Sequence, residues 1–144
     1  MIRIATLDDI PAIVALGSRS MVDGPYANRG ADNPEQSEKL ARYIIEQAGK
    51  VLLWIEDWQA VGMLGFVIFN HHFRGECTCQ ELAWYVLPEH RAGGAGIKLF
   101  WEAQKMAKEA GAKRIQFSAP NEQVGAIYKR YGFEQIEVCY ERTL

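Results

Sequence analysis

A glycine-rich segment between a strand-like run and a helix-like run is the part of the sequence best suited to bind an anion. It reads His-Arg-Ala-Gly-Gly-Ala-Gly-Ile-Lys-Leu from His90 to Leu99. The first N–H groups of a helix have no partner within the helix and lie at the positive end of its dipole. Glycines let a ligand approach that backbone closely, because they carry no side chain. The segment therefore predicts a phosphate-binding turn.

The spacing within this turn excludes two common phosphate motifs. The Walker pattern requires Gly-Lys-Ser/Thr, whereas Lys98 follows an isoleucine and precedes Leu99. The dinucleotide fingerprint requires a third small residue at the position of Leu99. The remaining pattern, Arg91-x-x-Gly94-x-Gly96, is as typical of a tight connection as of a binding site, so other parts of the chain must decide.

The period of the apolar residues predicts the elements that hold the turn. A strand from about Cys79 to Leu87 leads into it, and a helix with one apolar face leads out of it to Gly111. Two earlier runs, Val51–Glu56 and Val61–Asn70, predict a hairpin. The three strands would form an antiparallel meander, and the turn with its helix and next strand a right-handed parallel βαβ unit.

Two helices are predicted before the hairpin. A first strand at Ile2–Ile4 precedes a helix that begins after the capping-type sequence Thr6–Asp9 and is expected to end at Gly17. Asn33 is a good N-cap for a second helix, followed by proline at the first helical position. Gly49 is expected to end that second helix.

The C-terminal third continues the alternation of strands and helices. A strand at Arg114–Ala119 and a short helix at Asn121–Tyr131 follow the long helix, and a final strand is predicted at Phe133–Arg142. The predicted order is β-α-α-β-β-β-α-β-α-β. Mixed elements around an antiparallel meander indicate an α+β (mixed α/β) domain.

A second motif makes the interpretation specific. Asn121 and Tyr128 are seven residues apart, and Gly132-Phe133 follows them. Together with the Arg-x-x-Gly-x-Gly turn and the opening sequence Thr-Leu-Asp-Asp-Ile-Pro-Ala-Ile, this pattern resembles the GCN5-related N-acetyltransferase (GNAT) superfamily over nearly the whole chain. The resemblance implies one acyl-CoA N-acyltransferase domain over residues 1–144, with a central mixed sheet of about six or seven strands flanked by about four helices.

The resemblance also implies acetyl-CoA as cosubstrate and identifies the residues that would bind it. Backbone amides of the turn would hold the pyrophosphate, two residues of the preceding strand would face the thioester, and Asn121 would reach the pantetheine arm. The implied donor-binding residues are Val86, Leu87, Arg91, Ala92, Gly93, Gly94, Ala95, Gly96, Ile97, Asn121 and Tyr128.

Tyr128 is the candidate general acid. A phenol with a pKa of about 10 is protonated at neutral pH and could protonate a leaving thiolate. The alternative is that Tyr128 only packs with Ile127, Tyr131 and Phe133. The presence of Asn121 and of the glycine turn favours the catalytic role.

The general base is less well specified. Glu81 is the first candidate, because its carboxylate enters the strand that leads to the turn, and it would act through water. A solvated glutamate at a strand end is an equally good interpretation. His71 and His72 are alternatives on a loop, and a neutral amine selected from solution would need no base at all.

The segment from Ser18 to Asn33 is the least regular part of the chain. Turn-forming residues dominate it. It is either a surface connection or a loop on the acceptor side that carries Asp23, Tyr26 and Arg29, since long ordered loops are often functional.

Composition excludes several classes of protein. A net charge of −2 gives no general attraction to nucleic acid or to an anionic membrane. Three cysteines indicate reduced thiols in the cytoplasm. Zinc is not expected, because the adjacent histidines His71 and His72 and the close pair Cys77 and Cys79 do not have zinc-site spacing. A homodimer is compatible with a β-rich C-terminus that offers a sheet edge.

These observations predict direct transfer of the acetyl group of acetyl-CoA to a primary amine of an unidentified acceptor, either a small molecule or a protein. The alternative is a non-catalytic acyl-CoA-binding module with the same fold.

Overall fold

The structure is a computed structural model that describes residues 1–144. One five-stranded sheet has the strand order β1-β2-β3-β4-β5. Strands β1 to β4 are antiparallel, and β4 and β5 are parallel. The α+β class, the meander and the parallel crossover are thereby confirmed, although the sheet has fewer strands than expected. The strands are β1 Ile2–Ile4, β2 Gly49–Glu56, β3 Gln59–Asn70, β4 Cys77–Val86 and β5 Arg114–Gln116.

Helices cover both faces of the sheet. Helices α1 and α2 pack on one face, where side chains such as Ile13 and Leu53 form the first core. Helix α3 packs on the other face, where Leu64 and Leu99 belong to the second core. None of the helices has the length and apolar character needed to cross a bilayer. The helices are α1 Ile10–Asp23, α2 Pro34–Tyr43, α3 Ala95–Glu109 and α4 Glu122–Arg130, and a π-helical turn, Ile44–Ala48, continues α2.

The predicted end of α1 at Gly17 is wrong, since the helix continues to Asp23. One glycine in a helix costs only about 1 kcal/mol, which packing can offset. A Cβ on Gly17 would lie 3.9 Å from the Ser37 Oγ of α2, which is an ordinary contact, so the packing of the two helices does not require glycine here. Helix α1 ends where Gly24 precedes a proline, which disfavours helical geometry.

The second helix begins as predicted, and the π-helical turn that continues it ends directly before Gly49. The Asn33 side chain accepts a hydrogen bond from the Gln36 amide at 3.1 Å. The chain then enters β2 directly at Gly49, where a Cβ would lie 1.9 Å from the carbonyl oxygen of Phe66. Only glycine allows this close approach of the two backbones.

The predicted final strand at Phe133–Arg142 is wrong, because residues 133–144 form no strand. A strand requires a ladder partner for its backbone groups. The neighbouring strand β5 is only three residues long and pairs with β4 alone. The alternating apolar residues Ile136, Val138 and Tyr140 are consequently exposed.

The turn between β2 and β3 contains a strained aromatic residue. Asp57 and Trp58 both have positive φ values, 48° and 67°. Trp58 is 98% exposed, so its indole gains nothing from packing. A left-handed conformation is unfavourable for a residue with a Cβ and is accessible to glycine.

We expect Trp58→Gly to raise the free energy of unfolding by about 0.5–1 kcal/mol, measured by urea denaturation. Trp58→Ala is the matched control, because it removes the indole and keeps the Cβ. Equal gains in the two variants would assign the effect to the indole rather than to the backbone.

Candidate active site

A gap opens between β4 and β5 beyond their short ladder. The ladder joins only Thr78–Gln80 to Arg114–Gln116, whereas β4 continues to Val86. The Leu87 amide donates to the Val61 carbonyl at 2.9 Å and so points toward β3. Because successive strand residues point their amides to opposite edges, the Val86 amide points into the gap. Both Val86 and Leu87 were expected to face the thioester. Their amides point in opposite directions, so only the Val86 amide faces the gap.

The glycine turn exposes the start of α3. The first intrahelical bond runs from the Lys98 amide to the Gly94 carbonyl at 3.1 Å. The amides of Ala95, Gly96 and Ile97 precede that bond and have no partner within the helix. A Cβ added to Gly93 would meet no atom within 4 Å, so the outer side of the turn is open. The residues present fit an anionic group at this helix start.

The first half of the expected turn has a different conformation. Residues Pro88–Gly93, which include Ala92, form a 3₁₀ turn whose amides bond back along the chain. The Arg91 Nε donates to the Val86 carbonyl at 2.8 Å, and its Cζ lies 5.5 Å from the ring centre of Tyr85. The Arg91 side chain thus extends along β4.

Gly96 faces the sheet. A Cβ at this position would lie 3.8 Å from the indole of Trp84 and 3.9 Å from Cγ2 of Val86. The first turn of α3 therefore lies directly against the end of β4. This packing holds the three free amides beside the gap.

The two candidate catalytic residues meet at one peptide segment. The Ser118 amide donates to Oε2 of Glu81 at 3.3 Å, and the Tyr128 hydroxyl donates to the Ser118 carbonyl at 3.1 Å. A register shift between Gly65 and Phe66 leaves Leu82 as an extra residue in β4, next to Glu81. Such bulges redirect side chains near binding sites. The structure thus brings together residues from β4, α4 and the segment after β5.

Burial raises the pKa of both candidates. The pKa of Glu81 is raised to about 7, and the hydrogen bond from Ser118 opposes the rise. The pKa of Tyr128 is raised by burial and by the charge of Glu81. Glu81 can therefore gain or lose a proton near neutral pH, while Tyr128 remains protonated. Such shifts in a cleft indicate a candidate catalytic site.

Tyr128 is also part of an aromatic cluster. Its ring centroid lies 6.2 Å from that of Trp84, 6.0 Å from Phe100 and 5.7 Å from Phe133. Phe117 completes this group of rings, which we call the aromatic cluster. Tyr128 is only 6% exposed. Tyr128 therefore packs in the aromatic cluster and also forms a hydrogen bond to Ser118.

Asn121 is the N-cap of α4. Its Oδ1 accepts a hydrogen bond from the Val124 amide at 2.9 Å. The side-chain NH₂ is the group that remains free to donate to a ligand. Asn121 therefore fixes the start of the helix that carries Tyr128.

Ser118 was not identified from the sequence, because it contributes only its backbone N–H and C=O groups. No side-chain motif indicates such a contribution. The sequence also gives no indication of the contact between Tyr85 and Asp23, because 62 residues separate the two. The Tyr85 hydroxyl donates to Oδ2 of Asp23, which is the last residue of α1.

The histidines considered as alternative bases lie at the β3–β4 turn. Nδ1 of His71 accepts hydrogen bonds from the amides of Phe73 and Arg74, at 3.2 and 3.3 Å. His71 and His72 stack on each other at 4.5 Å. No group of three or more potential metal ligands comes together. His71 thus stabilises the turn.

The chain matches the model of the acetyltransferase (GNAT) family over residues 19–133. Solved structures share its fold. A predicted acetyltransferase from Clostridium acetobutylicum, solved with acetyl-CoA, has 17% identity and a TM-score of 0.84, over 99% of this chain and 95% of that one. A ribosomal-protein-alanine N-acetyltransferase from Brucella melitensis has 19% identity and a TM-score of 0.77, over 100% and 98%.

An aminoglycoside acetyltransferase from an uncultured soil sample, in complex with sisomicin, has 18% identity and a TM-score of 0.74, over 100% of this chain and 95% of that chain. At these identities the likeness concerns the fold. No curated protein matches the chain. The family match, which spans most of the sequence, shows that the chain belongs to the GNAT acetyltransferase family.

Proposed function

We propose that the protein transfers an acetyl group from acetyl-CoA directly to a primary amine. The observation that carries this proposal is the meeting of Glu81 and Tyr128 at Ser118, beside the gap between β4 and β5. One titratable carboxyl and one protonated phenol can serve as the general base and the general acid of such a reaction. Family membership and the open helix start support an acyl-CoA donor.

The chain would hold the donor at two places. The free amides of Ala95, Gly96 and Ile97 would bind the pyrophosphate at the start of α3. The Val86 amide would stabilise the thioester oxygen as negative charge develops on it. Bound acetyl-CoA would contribute an activated acetyl group. The Asn121 NH₂ group would donate to the pantetheine arm.

Two proton transfers would complete the reaction. Glu81, with a pKa of about 7, would accept the proton of the acceptor ammonium, directly or through water. Tyr128 would exchange its hydrogen bond with the Ser118 carbonyl for one to the departing sulfur and give that sulfur its proton. The second proton that the acceptor nitrogen loses would return through solvent to the Tyr128 oxygen and restore the phenol. Because burial raises the pKa of Tyr128, its proton is present throughout the neutral range.

The pH profile tests the role of Glu81. A base must be ionised, so kcat/KM should rise with pH through about 7, the pKa of Glu81. Glu81→Gln should lower kcat about 100-fold and abolish that rise. Glu109→Gln, an exposed carboxyl at the end of α3, is the matched control. A rise near pH 7 that persists in Glu81→Gln would contradict the assignment.

Stability gives a second measurement on the same variant. Burial raises the pKa of Glu81 from 4.5 to about 7, so ionisation of this group opposes folding. Its contribution to stability is present in full below about pH 4.5 and is lost as the pH rises through 7. Glu81→Gln should therefore have a smaller loss of stability between pH 5 and 8 than the unmodified protein, measured by urea denaturation.

Release of free CoA thiol tests the function itself. The protein is incubated with acetyl-CoA and a panel of amines, and the thiol is measured with a disulfide reagent. Turnover above the uncatalysed rate with at least one amine is expected. Donor binding by calorimetry without turnover on any amine would favour the non-catalytic acyl-CoA-binding module.

A further inference from the structure

A charged cluster lies on the opposite face of β4 from Glu81. It consists of Arg19 and Asp23 of α1, Tyr85 of β4 and Arg91 of the 3₁₀ turn, and we call it the arginine cluster. Asp23 accepts the hydrogen bond of the Tyr85 hydroxyl, and Arg91 lies over the Tyr85 ring. Arg19 and Asp23 are four residues apart in one helix and therefore share a face.

The cluster has an excess of positive charge. It contains two guanidinium groups and a single carboxylate. Both arginines lie close enough to Tyr85 for their charges to oppose the rise in its pKa that burial and Asp23 cause. Tyr85 is 7% exposed, whereas Arg19, Asp23 and Arg91 are all exposed. A polar ligand can therefore reach the charged groups.

Most of the hydrogen-bonding capacity of the arginines is unused. Arg19 takes part in none of the ion pairs of the structure. Arg91 donates only through Nε, to Val86, which leaves its two terminal nitrogens free. Asp23 is engaged by Tyr85 and pairs with neither arginine within 4.0 Å. Guanidinium groups with free nitrogens are well suited to bind a planar carboxylate.

The arginine cluster lies next to the strand end where the acceptor would react. Tyr85 precedes Val86, whose amide points into the gap, and Arg91 binds the carbonyl of the same Val86 residue. The side chains of Tyr85 and Val86 belong to opposite cores, so the cluster lies across the sheet from α3. A molecule that reaches the gap from the α1 face would therefore approach it on the side of the sheet that carries the arginine cluster.

We propose that the arginine cluster binds a carboxylate carried by the acceptor, so that the preferred substrates are amines with an acidic group, as in amino acids. This inference rests on the proposed acetyl transfer. Arg19 and Arg91 bind the carboxylate, and the bond from Tyr85 to Asp23 holds α1 against β4. Asp23 is a positioning residue in this arrangement.

Matched acceptors test the proposal by kinetics. L-phenylalanine and phenethylamine, and likewise L-tyrosine and tyramine, differ by one carboxylate. We expect kcat/KM to be at least about tenfold higher for the amino acid, since a charge-assisted hydrogen bond has that effect. Arg19→Gln should bring the ratio near one, and Arg19→Glu should invert it. Arg42→Gln on α2 is the matched control and should leave the ratio unchanged.

Three kinetic outcomes would overturn the proposal. Equal or greater activity on the amines without a carboxylate would do so, as would an unchanged ratio in Arg19→Gln. An increase in the KM for acetyl-CoA in Arg19→Gln, with the acceptor ratio unchanged, would assign the arginines to the donor phosphates instead. Each of these results leaves acetyl transfer itself intact, whereas failure of the proposed function means no turnover on any amine.

Binding gives an independent measurement that needs no turnover. N-acetyl-phenylalanine carries the carboxylate, and N-acetyl-phenethylamine lacks it. In the presence of CoA, the first should shift the Nε–H NMR signals of Arg19 and Arg91, and the second should not. Arg19→Gln should weaken the response of the Arg91 signal. Equal shifts with both compounds, or no shift with either, would overturn the proposal.

Discussion

Tyr128→Phe is expected to lower kcat by about 100- to 10,000-fold, because it removes the proton that the proposed general acid gives to the leaving thiolate. The hydroxyl donates to the Ser118 carbonyl, and burial keeps it protonated. The KM for acetyl-CoA should change little, since the ring and its packing remain. Loss of the hydrogen bond should lower the free energy of unfolding by only about 1 kcal/mol. Thiol release measured with a good acceptor gives kcat.

Tyr131→Phe is the matched control for this prediction. Tyr131 follows α4 directly and is 41% exposed, so its hydroxyl is not held at Ser118. This variant should retain full activity. Thiol release by Tyr128→Phe at the rate of the unmodified protein would show that Tyr128 only packs, and the acid would have to be sought elsewhere.

Phe100→Ala should lower the free energy of unfolding by about 3–5 kcal/mol. Phe100 is fully buried, and its ring contacts Trp84, Phe117, Tyr128 and Phe133 in the aromatic cluster. Removing the ring leaves a cavity between α3 and α4 that the rigid neighbours cannot fill. Urea denaturation with a fixed slope measures the loss.

Two further variants separate the cavity from other effects. Phe100→Leu keeps most of the volume and should cost less than about 1.5 kcal/mol. Trp101→Ala removes a larger ring from the next position of α3, where the residue is 46% exposed, and should cost less than Phe100→Ala. If Trp101→Ala is the more destabilising change, the aromatic cluster does not hold the two helices together.

The order of elements was predictable from how each element is buried. Helix α3 has apolar residues at a period of about 3.6, because one of its faces packs on a core. Strand β3 is a continuous apolar run rich in β-formers, because it is buried on both faces of the sheet. The two wrong boundaries have a different cause. Helix α1 continues through Gly17 because its apolar face packs on the first core, and that packing outweighs the local preference of one glycine. Residues 133–142 have a strand-like pattern, but pattern alone provides no ladder partner.

The sequence predicted which residues belong to the candidate site, but it did not predict most of the contacts between them. Glu81 and Tyr128 were named from the sequence, and the structure brings them to one segment. The role of Ser118 depends on backbone groups, which a motif does not specify. The direction of Arg91, toward Val86 and Tyr85, depends on the 3₁₀ turn, which the glycine pattern did not predict.

The position of Trp84 makes it an intrinsic fluorescence probe of the candidate site. Its indole lies against Gly96 at the start of α3 and stacks near Tyr128, so it lies beside both the glycine turn and the helix that carries Tyr128. A ligand that enters the gap changes the surroundings of this one indole. With Trp54, Trp58 and Trp101 replaced by phenylalanine, the intrinsic fluorescence of Trp84 would follow donor binding in real time without an attached dye.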